Sequence, residues 1–218
     1  PTVASWLSSQ NQSLLIREYT DEVESVEPSA SEQLQRAHEY NDALSAGVRL
    51  DANANVPVGD GTSSDDSLDY WSMLTIGQDA PMARIRIPSI GVDLPIYHGT
   101  SDATLAKGIG HVYGSSLPVG GEGTHTVLTG HSGFVTATLF NDLQQLRKGD
   151  LFTITVAGEV LTYRVDQILT VLPNDSDALR RVPGKDYVTL ITCTPTGVNS
   201  HRLLVRGERV PTLQAPGG

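Results

Sequence analysis

The chain has 218 residues, 39% hydrophobic and 18% charged, enough for one domain with a substantial core. Its net charge of −10 excludes the basic surface that phosphate binding requires, so no nucleic acid is expected as a partner. No stretch approaches the roughly 18 apolar residues of a membrane span, and the single cysteine, Cys193, excludes an internal disulfide and a cysteine-rich zinc site.

The chain begins at Pro1 rather than Met, which suits a processed form whose signal or anchor segment has been removed. Residues 1–47 read as a helical region. Trp6, Leu14, Leu15, Tyr19, Val23 and Val26 form one apolar stripe, and Pro28 ends it. A second helix follows in "SASEQLQRAHEYNDALSAG". Ser29 and Glu32 have capping-box spacing, Leu34, Ala37, Asn41 and Leu44 fall near one face, and Gly47 is the expected terminator.

Residues 48–68, "VRLDANANVPVGDGTSSDDSL", are rich in Asn, Asp, Gly and Ser and carry no useful period. A loop of this length is either an interdomain linker or a functional flap. "LDYWSMLTI" reads as a short helix leading into the rest of the chain.

From Met82 to the end the pattern is β, and residues 69–218 are read as one β-barrel domain. "ARIRIP", "DLPIYH", "HTVLTGH", "LFTITVA", "VLTYRVDQILTVL", "YVTLITC" and "HRLLVRGERV" are short, rich in β-branched residues and separated by Gly, Pro, Asn and Asp. "FNDLQQLRKGD" interrupts them as a short helix or turn. The fold class is mainly β, a barrel or sandwich with N-terminal helices added.

Cys193 ends the apolar run "YVTLIT", where a strand emerges into a loop. That position suits a nucleophile, and it equally suits a buried structural thiol. His131 closes "THTVLTGH" between Gly130 and Gly133, again at a strand-to-loop edge. Each of the other five histidines reads better as a structural residue. Arg202 opens the next strand after the loop that follows Cys193. If the two strands pair, only one of His201 and Arg202 faces the Cys193 side. A guanidinium there suits an oxyanion, because its charge is permanent and its donors form a fixed fork; a salt bridge on the barrel wall is the bland alternative.

Taken together, "TGHSG", "TLITCTP" and "HRLLVRG" resemble the sortases, and more narrowly class C, the pilus-assembling sortases of Gram-positive bacteria. The resemblance extends through "RIRIPSIGVDLPIYHGT", "GIGHVYGSSLPVGGEGTHTVLTGHSG", "LFNDLQQLRKGD", "YRVDQI" and "VPGKDYVTLITCTPTGVNSHRLLVRG". It implies an eight-stranded sortase β-barrel with N-terminal helices. It also implies a transpeptidase that cleaves LPXTG-type sorting signals of pilin subunits and joins them to an acceptor lysine. By the same resemblance Cys193 is the nucleophile, His131 the general acid and base, and Arg202 the oxyanion and substrate-positioning group. The protein would act on the extracytoplasmic face of the membrane, held there by segments absent from this chain. A housekeeping sortase attaching proteins to cell wall and a noncatalytic β-barrel adhesion module are the alternatives.

Class C sortases resemble one another in a lid written Asp-Pro-aromatic, which this sequence lacks. By position the lid falls at Asp51, Ala52 and Asn53; by residue type Asp69 and Trp71 are the alternative. Thr196 stands where many relatives have Tyr, which bears on sorting-signal preference. The acidic residues form no compact oxygen-ligand motif, so no cofactor and no required metal are expected.

Overall fold

The structure is a computed structural model that describes residues 29–44, 48–49, 58–59, 68–75, 80–131 and 139–213. Helix α1 (Ala30–Ala43) starts at the expected signal. The Ser29 hydroxyl accepts from the Glu32 amide at 3.4 Å, and the Glu32 carboxylate accepts from the Ser29 amide at 2.8 Å. Ala37, Asn41 and Leu44 are buried as anticipated, joined by Tyr40 and Gln33. The helix ends at Leu44, before Gly47. Here the Arg181 guanidinium donates to the carbonyls of Asn41 (3.3 Å) and Leu44 (2.6 Å), so the last turn is satisfied without a glycine. The Asn41 amide completes the docking: its oxygen accepts from the Leu117 N–H at 2.7 Å and its nitrogen donates to the Leu117 carbonyl at 3.2 Å.

The segment read as a long loop contains one short antiparallel ladder, Val48–Arg49 with Val58–Gly59. The first candidate lid, Asp51 to Asn53, lies outside the described residues, as does the helix expected before Pro28. The next stretch is a single 3₁₀ turn, Tyr70–Ser72. Tyr70 drives its ring into the barrel. Its hydroxyl accepts from the Gly99 amide at 2.9 Å and meets Nδ1 of His111 at 2.9 Å, and its ring packs on Tyr40, His98, His111 and Tyr113.

Eight strands close into a barrel. In chain order they are β1 (Ala83–Ile87), β2 (Val92–His98), β3 (Ile109–His111), β4 (Thr124–Thr129), β5 (Leu151–Val156), β6 (Glu159–Val171), β7 (Asp186–Thr194) and β8 (His201–Val210). Around the barrel the order is β8-β6-β5-β1-β2-β3-β4-β7, with β7 closing onto β8. The β2–β3 and β4–β7 pairs are parallel, and the others antiparallel. The short helix α2 (Asp102–Lys107) makes the β2–β3 crossover that the parallel pairing requires.

Period-two alternation sets the interior. Ala83, Ile85 and Ile87 of β1 and Phe152, Ile154 and Val156 of β5 point inward and meet Val188 and Leu190 of β7 and Leu203 and Val205 of β8. Gly207 sits at a bulge in β8, and a Cβ there would come within 2.6 Å of the Phe152 ring. β4 is buried along its whole length, because its outer face is also covered. That outer face forms a second apolar cluster of Val112, Val127, Ile191 and Leu204, against which Leu179 from the β6–β7 connection packs.

Candidate active site

The three residues singled out in the sequence come from β8, from β7 and from the residues following β4. In the β7–β8 ladder Cys193 is the direct cross-strand partner of Arg202. Direct partners face the same side, so Arg202, not His201, shares the side of the thiol. The parallel β4–β7 ladder pairs Thr124 with Asp186 and continues to Thr129 with Ile191. Hydrogen bonds carry it further. The Gly130 amide donates to the Ile191 carbonyl at 3.2 Å, and the Thr192 hydroxyl donates to the Gly130 carbonyl at 2.8 Å. The same offset brings His131 beside Cys193. Neighbouring strands lie about 4.7–4.9 Å apart, so His131, Cys193 and Arg202 form one row across three adjacent strand positions, with the thiol in the middle.

The row lies on the outer face. Val188, Leu190 and Thr192 alternate inward, so Ile191 and Cys193 point outward. Just below it lies the apolar floor of Val127, Ile191 and Leu204. The row thus stands at the end of a buried apolar cluster that anchors the outer face of these strands.

His131 and Arg202 are each held by hydrogen bonds to the main chain. The His131 carbonyl accepts from the Phe140 amide at 3.1 Å. Gly130 before it has no room for a side chain, since a Cβ would lie 2.7 Å from Ile109 Cδ1 and 2.8 Å from Phe140 Cδ2, both in the packed core. Arg202 is only 2% exposed, and its Nη1 donates to the carbonyls of Asn199 (2.9 Å) and His201 (3.0 Å).

The electrostatics oppose ionisation of both proton carriers. Burial pushes the Cys193 thiol above its ordinary range, while the Arg202 charge pulls it back down. Burial lowers the His131 imidazole below the ordinary histidine range, while Asp102 raises it.

The second pair of lid candidates, Asp69 and Trp71, belongs to the 3₁₀ turn ahead of β1. The Asp69 carboxylate caps the 3₁₀ turn by accepting from the Trp71 amide at 3.4 Å. Trp71 is 57% exposed, packs on Tyr70, His98 and Tyr113, and covers Gly99. Sequence reasoning passed over Thr192 and the Asn199 carbonyl and gave Gly130 no part in orienting the row, although all three make the hydrogen bonds that hold it. The signals available were a Gly immediately before His131 and an Asn in a turn before a strand.

A sortase domain model matches residues 85–210. Sortase C-1 from Actinomyces oris is 49% identical with a TM-score of 0.75, over 84% of this chain and 100% of its own. A Streptococcus pneumoniae sortase C, described in connection with pilin substrate specificity, is 40% identical with a TM-score of 0.78, over 92% and 98%. Sortase A from Corynebacterium diphtheriae is 42% identical with a TM-score of 0.78, over 94% and 96%. Against the first three curated relatives, named sortase A or sortase D, the chain spans between 51% and 62% of their length. With a barrel of eight strands, a row of His, Cys and Arg and this matched domain, the chain belongs to the sortase family, whose members are cysteine transpeptidases, and its solved neighbours include sortases C as well as a sortase A.

Proposed function

We propose that this protein is a pilus-type sortase that cleaves an LPXTG-type signal between Thr and Gly and transfers the acyl group to a pilin lysine. The single observation that carries this reading is the row of His131, Cys193 and Arg202. The Cys193 thiolate attacks the Thr carbonyl carbon, and the carbonyl oxygen becomes an oxyanion beside the Arg202 guanidinium. Collapse breaks the Thr–Gly C–N bond, and the His131 imidazolium gives its proton to the departing Gly amine. A thioester remains. The lysine ε-amine attacks it, the C–S bond breaks, neutral His131 takes the amine proton, and the isopeptide bond forms as Cys193 leaves as a thiolate beside the His131 imidazolium. The likeness to a sortase C described for pilin specificity supports pilin as the substrate, and an extracytoplasmic, membrane-held location follows from that role.

The test is a thioester adduct. Incubating the protein with an LPXTG peptide should add the mass of the peptide through its Thr, and Cys193→Ala should abolish the adduct. A noncatalytic adhesion module gives no adduct. Adding the pilin should then yield covalent ladders, whereas a housekeeping enzyme would pass the peptide to a cell-wall amine instead.

The opposed proton affinities carry a kinetic consequence. Acylation needs Cys193 deprotonated and His131 protonated, yet burial moves the first pKa up and the second down. The reactive pair is therefore a minor form whose share is constant between the two pKa values. The pH profile of kcat/KM for the peptide should be a broad bell. Its acid limb should fall below the ordinary histidine range and its alkaline limb above the ordinary thiol range. A narrow bell with both limbs near neutrality would contradict this.

A further inference from the structure

The turn between β7 and β8 holds a backbone conformation that no residue at its tip requires for its own sake. Asn199 has φ +57°, in the left-handed region that few non-glycine residues enter. Its N–H and that of Val198 both donate to the Pro195 carbonyl, at 2.9 and 3.0 Å, which closes the turn. The Asn199 side chain is not what holds it there: its amide oxygen is buried with no hydrogen-bond partner among the described residues. What the conformation does achieve is on the main chain. It turns the Asn199 carbonyl onto Nη1 of Arg202 at 2.9 Å, while the His201 carbonyl takes the same nitrogen at 3.0 Å. One end of the guanidinium is thus pinned between a loop carbonyl and a strand carbonyl, directly across from Cys193.

We propose that Asn199 is the positioning residue for Arg202, acting through its left-handed backbone rather than its side chain. The inference rests on the sortase reading of the site, and it assigns the residue a role that neither touches substrate nor moves a proton. Asn is among the few non-glycine residues that enter this region readily, whereas a β-branched residue is a clear outlier there. Replacing Asn199 by Val therefore forces the turn to another conformation and withdraws the carbonyl from Arg202. Replacing it by Gly keeps the conformation and removes only the side chain.

The experiment compares Asn199→Gly, Asn199→Ala and Asn199→Val in the same chain by two readouts. One is turnover of an LPXTG peptide. Val should lower kcat by about 10-fold to 100-fold with a smaller change in KM, short of what losing a whole oxyanion donor costs. Gly should stay within about threefold of wild type and Ala should fall between. The other readout is the pH midpoint of Cys193 alkylation by iodoacetamide, which needs no sorting signal. Val should raise it, because the cation that lowers the thiol pKa has lost its anchor; Gly should leave it in place. A Gly variant as impaired as Val, or a Val variant with wild-type kcat and midpoint, overturns the proposal. If wild type itself makes no thioester, the functional reading fails, and the alkylation midpoints still decide whether Asn199 places the guanidinium.

Discussion

Replacing Arg202 with Lys should lower kcat/KM for an LPXTG peptide by about 10²–10³-fold, the worth of one well-placed oxyanion donor. The charge is kept, so charge alone does not account for the loss. Arg202 already gives Nη1 to two carbonyls, those of Asn199 and His201, and is almost wholly buried. A guanidinium can do this and still own donors on two other nitrogens, all held in one plane. A lysine ammonium is a single point with three rotatable donors. If it satisfies the two carbonyls it is committed to the loop, and if it swings to the oxyanion it leaves them unpaired. Alkylation of Cys193 separates the two contributions. Arg202→Ala should move its pH midpoint upward, because the charge that opposes burial is gone; Arg202→Lys should leave it near wild type. Near wild-type turnover by the lysine variant would remove the fork from the mechanism. Equal midpoints for wild type and Arg202→Ala would remove the charge.

The strand ends that carry the proposed catalytic residues were legible because they leave a plain record in sequence. "YVTLITC" and "HRLLVRGERV" are apolar, β-branched runs with polar limits, and β8 occupies the whole of the second run. Seven of the eight barrel strands were readable in this way. The exception, Ile109–His111, has only three residues, begins after Gly108 and is buried on every side, so it shows no alternation. Helix α2 was missed for the same reason of length, although Ser101 caps it by accepting from the Thr104 amide at 3.2 Å. The resemblance supplied the roles of His131, Cys193 and Arg202; pattern alone left Cys193 open between nucleophile and buried thiol. What no local pattern contained was the register. That Cys193 sits opposite Arg202 depends on pairing, and that His131 joins them depends on a parallel ladder between segments 62 residues apart. The end of α1 follows the same logic. Gly47 was the local signal, but Arg181, distant in sequence, satisfies the helix carbonyls first. His111 and His125 likewise lacked visible partners in the sequence, because those partners are Tyr70 and Thr189.

Those two histidines should make the fold strongly acid-sensitive. His111 is wholly buried. Its Nε2 lies 2.8 Å from the Ser116 carbonyl, which can only accept, so Nε2 carries the proton and Nδ1 accepts from the Tyr70 hydroxyl. His125 is arranged in the same way, with Nδ1 donating to the Arg180 carbonyl at 2.9 Å and Nε2 accepting from the Thr189 hydroxyl at 2.7 Å. Both rings are held neutral. Burial is the main cause in each, and it lowers both from 6.5 to about 4; His98 adds to it at His111 and Arg206 at His125, while Asp166 opposes it at the latter. The sign follows from proton counts. Between pH 6.5 and 4 the unfolded chain binds protons on these residues and the folded chain does not, so stability present above 6.5 is lost as pH falls through that window. Each histidine accounts for about 3 kcal/mol once pH is below its folded value. The pair would then remove a large part of the 5–15 kcal/mol typical of a folded domain. Urea unfolding at several pH values should show a falling midpoint across this window. His125→Gln keeps hydrogen-bonding capacity and cannot titrate there, so it should flatten the slope even if it lowers stability at neutral pH. A slope unchanged in His125→Gln, and in the matching His111→Gln variant, would show that neither ring carries the acid sensitivity. A flattened slope would place it at the two points where β3 and β4 are tied to the segments that cover them, Tyr70 ahead of the barrel and the Arg180 turn before β7.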